Sequence, residues 1–283
     1  SYFKRVLETI NKKVMDYLSK EELRAQVPVA FATKPTNKAV TESYVHISTE
    51  KVIDDLEKLG WLPVEGSQRK NRGKDTIFSK HMIQFQNPDI MVKGADGDNA
   101  FPRILVTNSH DGMNSFQFRV GIFRLVCSNG LVIATEEFES FKIRHKGYTF
   151  AELRKVIVQA VQDLPGKVEV MNKMTQRILS EEEQRKLALD ALMIRSGITP
   201  GSKQAKEREY DDETLDEMLE VKREADEGDN LWVVFNRIQE AVTQGGFSAA
   251  LSGSKVRKVR KITSFEKDTK VNQELFKLAT SLV

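Results

Sequence analysis

With 283 residues, 40% apolar and 30% charged, the chain is long enough for one large domain or two smaller ones, each with its own core. No stretch approaches the roughly eighteen consecutive apolar residues of a membrane span, and Ser1-Tyr2-Phe3-Lys4-Arg5 lacks a signal peptide's apolar core, so a cytoplasmic protein without membrane contact is expected. Cys127 is the only cysteine, which excludes an intrachain disulfide and a cysteine zinc cage; its apolar neighbours point to an inert, buried thiol.

From the start to about Gly60 the pattern is helical. Tyr2, Phe3, Val6, Leu7, Ile10, Val14, Tyr17 and Leu18 recur at three and four, as on an amphipathic helix. Pro28, Pro35 and the polar residues from Thr33 to Asn37 predict an open linker. Ser48 or Thr49 as N-cap, Val52, Ile53, Leu56 and Leu59, then Gly60 as the stop, predict a second helix.

From Trp61 to Lys146 the period changes to two. Ile77, Ser79, His81, Ile83 and Phe85 alternate with Phe78, Lys80, Met82, Gln84 and Gln86, giving one face more polar than the other. Ile104-Leu105-Val106 leads through Asp111-Gly112, a hairpin signal, into the long strand beginning at Ser115. Phe116, Phe118, Val120 and Ile122 share one face, but after Gly121 the bulk moves to Phe123, Leu125 and Cys127, so a bulge is expected at Gly121. Asn129-Gly130 turns the chain into Leu131-Val132-Ile133, and a last strand sets Lys142, Arg144 and Lys146 on one side against Phe141, Ile143 and His145.

Helical signals return at Thr149. Thr149-x-x-Glu152 and Ser180-x-x-Glu183 are capping boxes. Leu153, Val156, Ile157, Ala160, Val161 and Leu164 form a core stripe that Pro165-Gly166 is expected to interrupt. The segment from Ser196 to Ser202 reads as a linker, Leu231, Trp232, Phe235, Ile238 and Val242 as a helix stopped by Gly245-Gly246, and Val271, Leu275, Leu278 and Leu282 as a final helix. The order is an α+β signature: a central antiparallel β-sheet flanked by N-terminal and C-terminal helices. The expected organisation is a helical segment at 1–60, a core of sheet and helices at 61–196, a linker with an acidic helix at 197–229 and a helical, basic segment at 230–283.

The net charge of +3 hides an uneven distribution. Between residues 206 and 229 twelve acids face four cations, whereas Lys255-Val256-Arg257-Lys258-Val259-Arg260-Lys261 is cationic with no acid inside it. Lys70, Arg72, Lys74 and Lys80 make another basic group, and Arg119, Arg124, Lys142, Arg144 and Lys146 stand on predicted strands. Such clusters attract a phosphate backbone, and the blander reading is a solvated face or a patch covered by the acidic segment.

Catalytic patterns are weak. His46, His81, His110 and His145 show no metal-ligand spacing, and Ser109-His110-Asp111 falls in a predicted hairpin turn without a nucleophile elbow. The glycines near Lys203 and Lys255 do not have phosphate-loop spacing. Glu136, Glu137 and Glu139 would serve a metal only if a further acid converged on them. No catalytic residue, metal ligand or cofactor is assigned.

Three segments carry a resemblance. Val126-Cys127-Ser128-Asn129-Gly130 closing the arginine-bearing strand, Val40-Thr41-Glu42-Ser43-Tyr44-Val45-His46-Ile47-Ser48-Thr49 before a capped helix, and Leu231-Trp232-Val233-Val234-Phe235-Asn236-Arg237-Ile238-Gln239-Glu240 resemble a family of phage and plasmid proteins catalogued mostly as a domain of unknown function. The chain departs from that pattern in its charged segment at 207–229 and in Gln244-Gly245-Gly246, where an aromatic or histidine is expected. The resemblance implies a role in mobile-element DNA metabolism. Together with the basic clusters it leads to an expected single-stranded DNA-binding or annealing protein of recombination or replication, assembled as a homo-oligomer. A sheet backed by a long helix is also how strand-annealing proteins are built, an analogy of fold alone. The alternatives are a non-enzymatic factor that engages a host or phage protein through its acidic helix, and a metal-dependent nuclease.

Overall fold

The computed structural model describes residues 17–31, 48–68, 81–90, 100–108, 116–124, 130–133, 142–143, 149–250 and 255–283. The chain forms two compact units, residues 1–93 with 99–164 and residues 94–98 with 165–283. The fold is α+β.

The first unit is built on an antiparallel sheet of β1 (Leu62–Gln68), β2 (His81–Gln86), β3 (Ala100–Asn108), β4 (Phe116–Arg124), β5 (Gly130–Ile133) and β6 (Lys142–Ile143). The first five strands are neighbours in that order, and β6 joins the start of β4. Two helices, α1 (Lys20–Gln26) and α2 (Thr49–Lys58), cover one face together with the first turns of α3 (Phe150–Gln176). Ile83, Phe85, Ile104, Val106, Phe118 and Val120 from the sheet meet Leu23, Val27, Val52, Ile53, Leu56, Leu153 and Ile157 from the helices. The period of two on the strands thus meets the period of 3.6 on the helices in one apolar layer.

Close approach fixes α1 on β1. A Cβ built at Gly66 would stand 2.4 Å from Val27 Cγ2 and 2.9 Å from Leu23 Cδ1, and the Gly66 amide donates to Gln26 Oε1 at 3.0 Å. Helix α1 opens with a capping box, Ser19 and Glu22, which satisfies two of the amides a helix start leaves without partners.

Several expectations change here. Of the N-terminal stripe only Tyr17 and Leu18 are described, and both lie outside any helix, with the Leu18 amide donating to Pro63 O at 2.8 Å. Pro28 is not in an open linker: Pro28–Phe31 is a 3-10 turn that buries Val29 and Ala30, because proline's fixed φ suits the start of a tight turn. Gly121 is not a bulge. Its register runs unbroken, opposite Arg103 on one edge and Val132 on the other, and a bulge there would break two ladders at once. The irregularity lies instead in β1, between Pro63 and Glu65, where proline cannot donate to a ladder. Pro165-Gly166 does not end α3, which runs from Phe150 to Gln176.

The second unit is helical. It contains the end of α3, then α4 (Glu181–Arg195), α5 (Lys203–Lys206), α6 (Asp212–Leu219), α7 (Leu231–Gln244) and α8 (Phe265–Thr280), with a two-stranded hairpin of β7 (Ser248–Ala249) and β8 (Arg257–Lys258). The Ser180–Glu183 capping box starts α4 as expected, and Asn230 caps α7 by accepting from the Val233 amide at 3.0 Å. Helix α7 is buried along nearly its whole length between α4, α6 and α8. Phe235 stacks with Trp232 at 6.2 Å and meets Phe276 edge-on at 6.3 Å. Truncating so buried a phenylalanine costs about 3–5 kcal/mol. Two of its polar residues reach neighbouring elements: Gln239 Nε2 donates to Asn272 Oδ1 on α8 at 2.8 Å, and the terminal nitrogens of Arg237 donate to the Leu219 and Gly228 carbonyls, while its buried Nε has no partner among the described residues.

Candidate nucleic-acid interface

The glycine pair that stops α7 also starts the basic hairpin. Gly245 has φ 68°, and a Cβ there would stand 2.5 Å from the Val259 carbonyl oxygen, so both the turn and the close approach require glycine. The Gly246 amide then donates to Val259 O at 2.9 Å, the Val259 amide to Phe247 O at 2.8 Å, and the Ile262 amide to Thr243 O at 2.8 Å. Ser248 and Ala249 pair with Lys258 and Arg257. Phe247, Ala250 and Ile262 are buried and anchor the hairpin.

Lys255, Arg257, Lys258, Arg260 and Lys261 are all exposed on this anchored backbone. Among the described residues none of the five enters an ion pair. Lys261 does act at longer range on Asp268 of α8, whose carboxyl is pushed up to about 6 by burial, against the pull of Lys261 and of a hydrogen bond from Asn272.

The acidic segment is not a single helix, and it does not cover these cations with ion pairs among the described residues. It breaks into α5, α6 and a 3-10 turn at Glu224–Asp226. Asp212, Asp216, Glu217, Asp226 and Asp229 have other partners. Arg185 of α4 pairs with Asp212 at 3.1 Å and Asp216 at 2.5 Å, Arg223 pairs with Asp226 and with Glu240 of α7, and Gln184 donates to Asp229 at 2.9 Å. Glu217 accepts from the Ser248 amide at 3.0 Å, and Thr214 from the Ala250 amide at 3.1 Å. Helix α6 therefore holds the hairpin by its backbone, and the cationic side chains stay exposed.

The remaining candidate cations belong to the first unit. Arg119, opposite Leu105, lies on the sheet face away from the Phe118 and Val120 core and is half-buried. Arg124 pairs in register with Ala100, and Lys142 with Gln117. Lys70, Arg72, Lys74, Lys80, Arg144 and Lys146 lie outside the described residues, as do His46, His110, His145, Glu136, Glu137, Glu139 and Cys127. His81 is buried and its Nε2 is 3.0 Å from Thr49 Oγ1, a packed imidazole bridging β2 and α2. Among the described residues no group of histidine, cysteine and carboxylate side chains converges as a metal site.

The strand pattern did not single out Arg103, which organises the polar face. Its Nε donates to Gln86 Oε1 and its Nη1 to Gln84 Oε1, both at 3.2 Å, and Gln84 Nε2 donates to Glu65 Oε2 at 3.2 Å. Burial pulls the Arg103 pKa down from the usual guanidinium value, with Glu65 and Tyr17 opposing. A second omission is the outer face of α3, where Phe150 and Val158 are exposed beside Arg154 and Lys155. Part of its signal was present: Val158 stands off the Leu153 and Ile157 stripe by helical spacing, whereas Phe150 falls on that stripe and is exposed all the same.

The family model described as "Domain of unknown function (DUF932)" matches residues 37–276. The chain belongs to this family, and all three segments that carry the sequence resemblance lie inside the match. It is similar to two curated proteins of Escherichia coli (strain K12), UPF0380 protein YfjQ and UPF0380 protein YafZ, each 28% identical over 267 residues that cover 94% of this chain and 92% of the relative. No solved structure matches the chain. Among the described residues, no helix is long and apolar enough to cross a membrane.

Proposed function

We propose that this protein binds nucleic acid, single-stranded DNA in the first place, in the recombination or replication of a mobile element. One observation carries the reading: five exposed cations within seven residues stand on a hydrogen-bonded hairpin and, among the described residues, form no ion pair, while Asp212, Asp216 and Glu217 of the neighbouring α6 are engaged elsewhere. Cations held outside ion pairs release the counterions of a phosphate backbone without first breaking internal bonds, so their full Coulomb attraction is available to a polyanion. A short run of lysines and arginines on an exposed hairpin suits contact with the phosphate backbone, which fixes position on the strand without reading sequence.

The test is fluorescence anisotropy of labelled single- and double-stranded oligonucleotides over a salt series. Wild type is compared with a variant carrying Lys255→Gln, Arg257→Gln, Lys258→Gln, Arg260→Gln and Lys261→Gln. For a single strand, every cation that neutralises a phosphate in the wild type and is removed in the variant should reduce the magnitude of the log-log salt slope by about 0.7. Absence of binding at low salt overturns the proposal and turns the search to a protein partner for the exposed acids Glu207, Glu209, Glu213, Glu220 and Glu224.

A further inference from the structure

An amphipathic helix that covers a core normally turns charged residues outward. The first three turns of α3 also leave two apolar residues exposed among those charges. Leu153 and Ile157 are buried in the first unit's core, Phe150, 37% exposed, lies at the edge of their stripe, and Val158, 46% exposed, stands farther round the helix beside Ala151, with Arg154 between it and Phe150. These residues line an open groove of about 490 Å³ together with Arg154, Lys155 and Gln159, within the ~300–1,000 Å³ span of ligand-binding clefts.

The charge around the groove is one-sided. Arg154 and Lys155 are exposed, and among the described residues neither enters an ion pair. Lys58 Nζ lies 5.9 Å from the Phe150 ring centroid while also pairing with Asp55 at 3.3 Å. Among the described residues no carboxylate lines the groove. The nearest acid in sequence, Glu152, is turned to the helix start, where it accepts from the Thr149 amide at 3.1 Å and the Thr149 hydroxyl at 3.0 Å.

We propose that this groove is a stacking site for an unpaired nucleobase, with Phe150 as the platform and Arg154, Lys155 and Lys58 as partners of the flanking phosphates. The inference rests on the nucleic-acid reading above and adds a second binding surface that uses different physics. An aromatic face with cations beside it and few hydrogen-bonding groups binds any base equally well, because every base has a π-face and every nucleotide a phosphate. Only an unpaired strand can offer a free base face along its length. The groove would therefore supply the preference for single strands that a basic run alone cannot.

The experiment uses the full chain and an unstructured oligothymidylate as probe. Phe150→Ala and Phe150→Leu should each weaken binding about tenfold and leave the salt slope unchanged, since no charge is removed. Phe150 is exposed, and Leu retains its apolar bulk, so a folding defect in one variant is checked by the other. Arg154→Gln with Lys155→Gln should instead lower the slope. Phe150→Trp adds a direct signature, because Trp61 and Trp232 are buried and an exposed indole quenched by a stacked base would dominate the change in emission. If the strand binds and the hairpin cations matter, but Phe150→Ala binds as wild type and Phe150→Trp shows no quenching, the stacking site is wrong and the nucleic-acid reading stands. If no strand binds at low salt, both fall. If polyglutamate rather than the strand quenches Phe150→Trp, the groove accepts an acidic peptide and the inference is overturned.

Discussion

Arg195 holds Arg260 by its backbone. From the end of α4 its guanidinium donates to the Arg260 carbonyl and, through its other terminal nitrogen, to the carbonyl of Val242 in the last turn of α7. One side chain thus satisfies a helix-end carbonyl and fixes the return strand that carries the basic run. Burial lowers the Arg195 pKa from the usual guanidinium value, though a guanidinium stays charged at any working pH. Arg195→Ala should cost about 2 kcal/mol, because it leaves two charge-assisted bonds unmade. The sharper measurement is hydrogen exchange at the Gly246 and Val259 amides, which should speed up more than those of α8. Unchanged exchange at both would show that the hairpin is held by its apolar anchors alone.

Gly245 is the second point at which the hairpin is vulnerable. Gly245→Ala combines a left-handed backbone with a Cβ driven into the Val259 carbonyl, so the return strand must move. The expected loss is about 2–4 kcal/mol by urea denaturation. Gly246→Ala is the control, since its φ of 93° is strained but a Cβ there meets nothing within 4 Å. It should cost less. Equal losses would mean that backbone strain matters and the close approach does not.

The two hairpin glycines, the capping boxes and the core of β2 to β4 were legible because each depends on local chemistry: a cap, a stop or an alternation of two. What was missed depends on tertiary neighbours. The bulge expected at Gly121 fails because β4 is paired on both edges there, and sequence does not reveal how many neighbours a strand has. The acidic segment looked like one helix, yet it folds into short pieces whose Leu215 and Met218 are buried and whose carboxylates meet Arg185 and Arg223. The cationic run was visible from its composition. That Asp212, Asp216 and Asp226 would pair with Arg185 and Arg223 was not, because pairing is decided by distances across the fold.

Asp268 gives a pH-dependent prediction. Its folded pKa of about 6 lies above the ordinary 3.8, with burial as the main cause. The folded state therefore binds this proton more tightly than the unfolded chain. Relative to low pH, stability falls as the pH rises from about 4 through 6, then levels off once both states are ionised. Asp268→Asn removes the buried charge and keeps an acceptor for the Asn272 side chain. It should be more stable than wild type at pH 8, by about 3 kcal/mol at most, and close to wild type at pH 4. Urea midpoints at the two pH values decide it, and parallel curves for both proteins would refute the burial argument.

Arg103 offers a test of the polar sheet face that is independent of the hairpin. In Arg103→Ala, Gln84 and Gln86 lose their charged donor while remaining 6% and 0% exposed, and among the described residues the amide nitrogen of Gln86 already has no partner. A buried acceptor left unmet costs about 1–3 kcal/mol, so the variant should lose roughly 2–4 kcal/mol in total. Arg103→Lys keeps the charge but loses the planar fork that reaches both glutamines, and should recover less than half of that loss. Arg103→Met, which fills the volume without a charge to desolvate, should fall between wild type and Arg103→Ala. Full stability in Arg103→Ala would mean that the two glutamines find other donors, and that the arginine serves a ligand or partner and not the sheet.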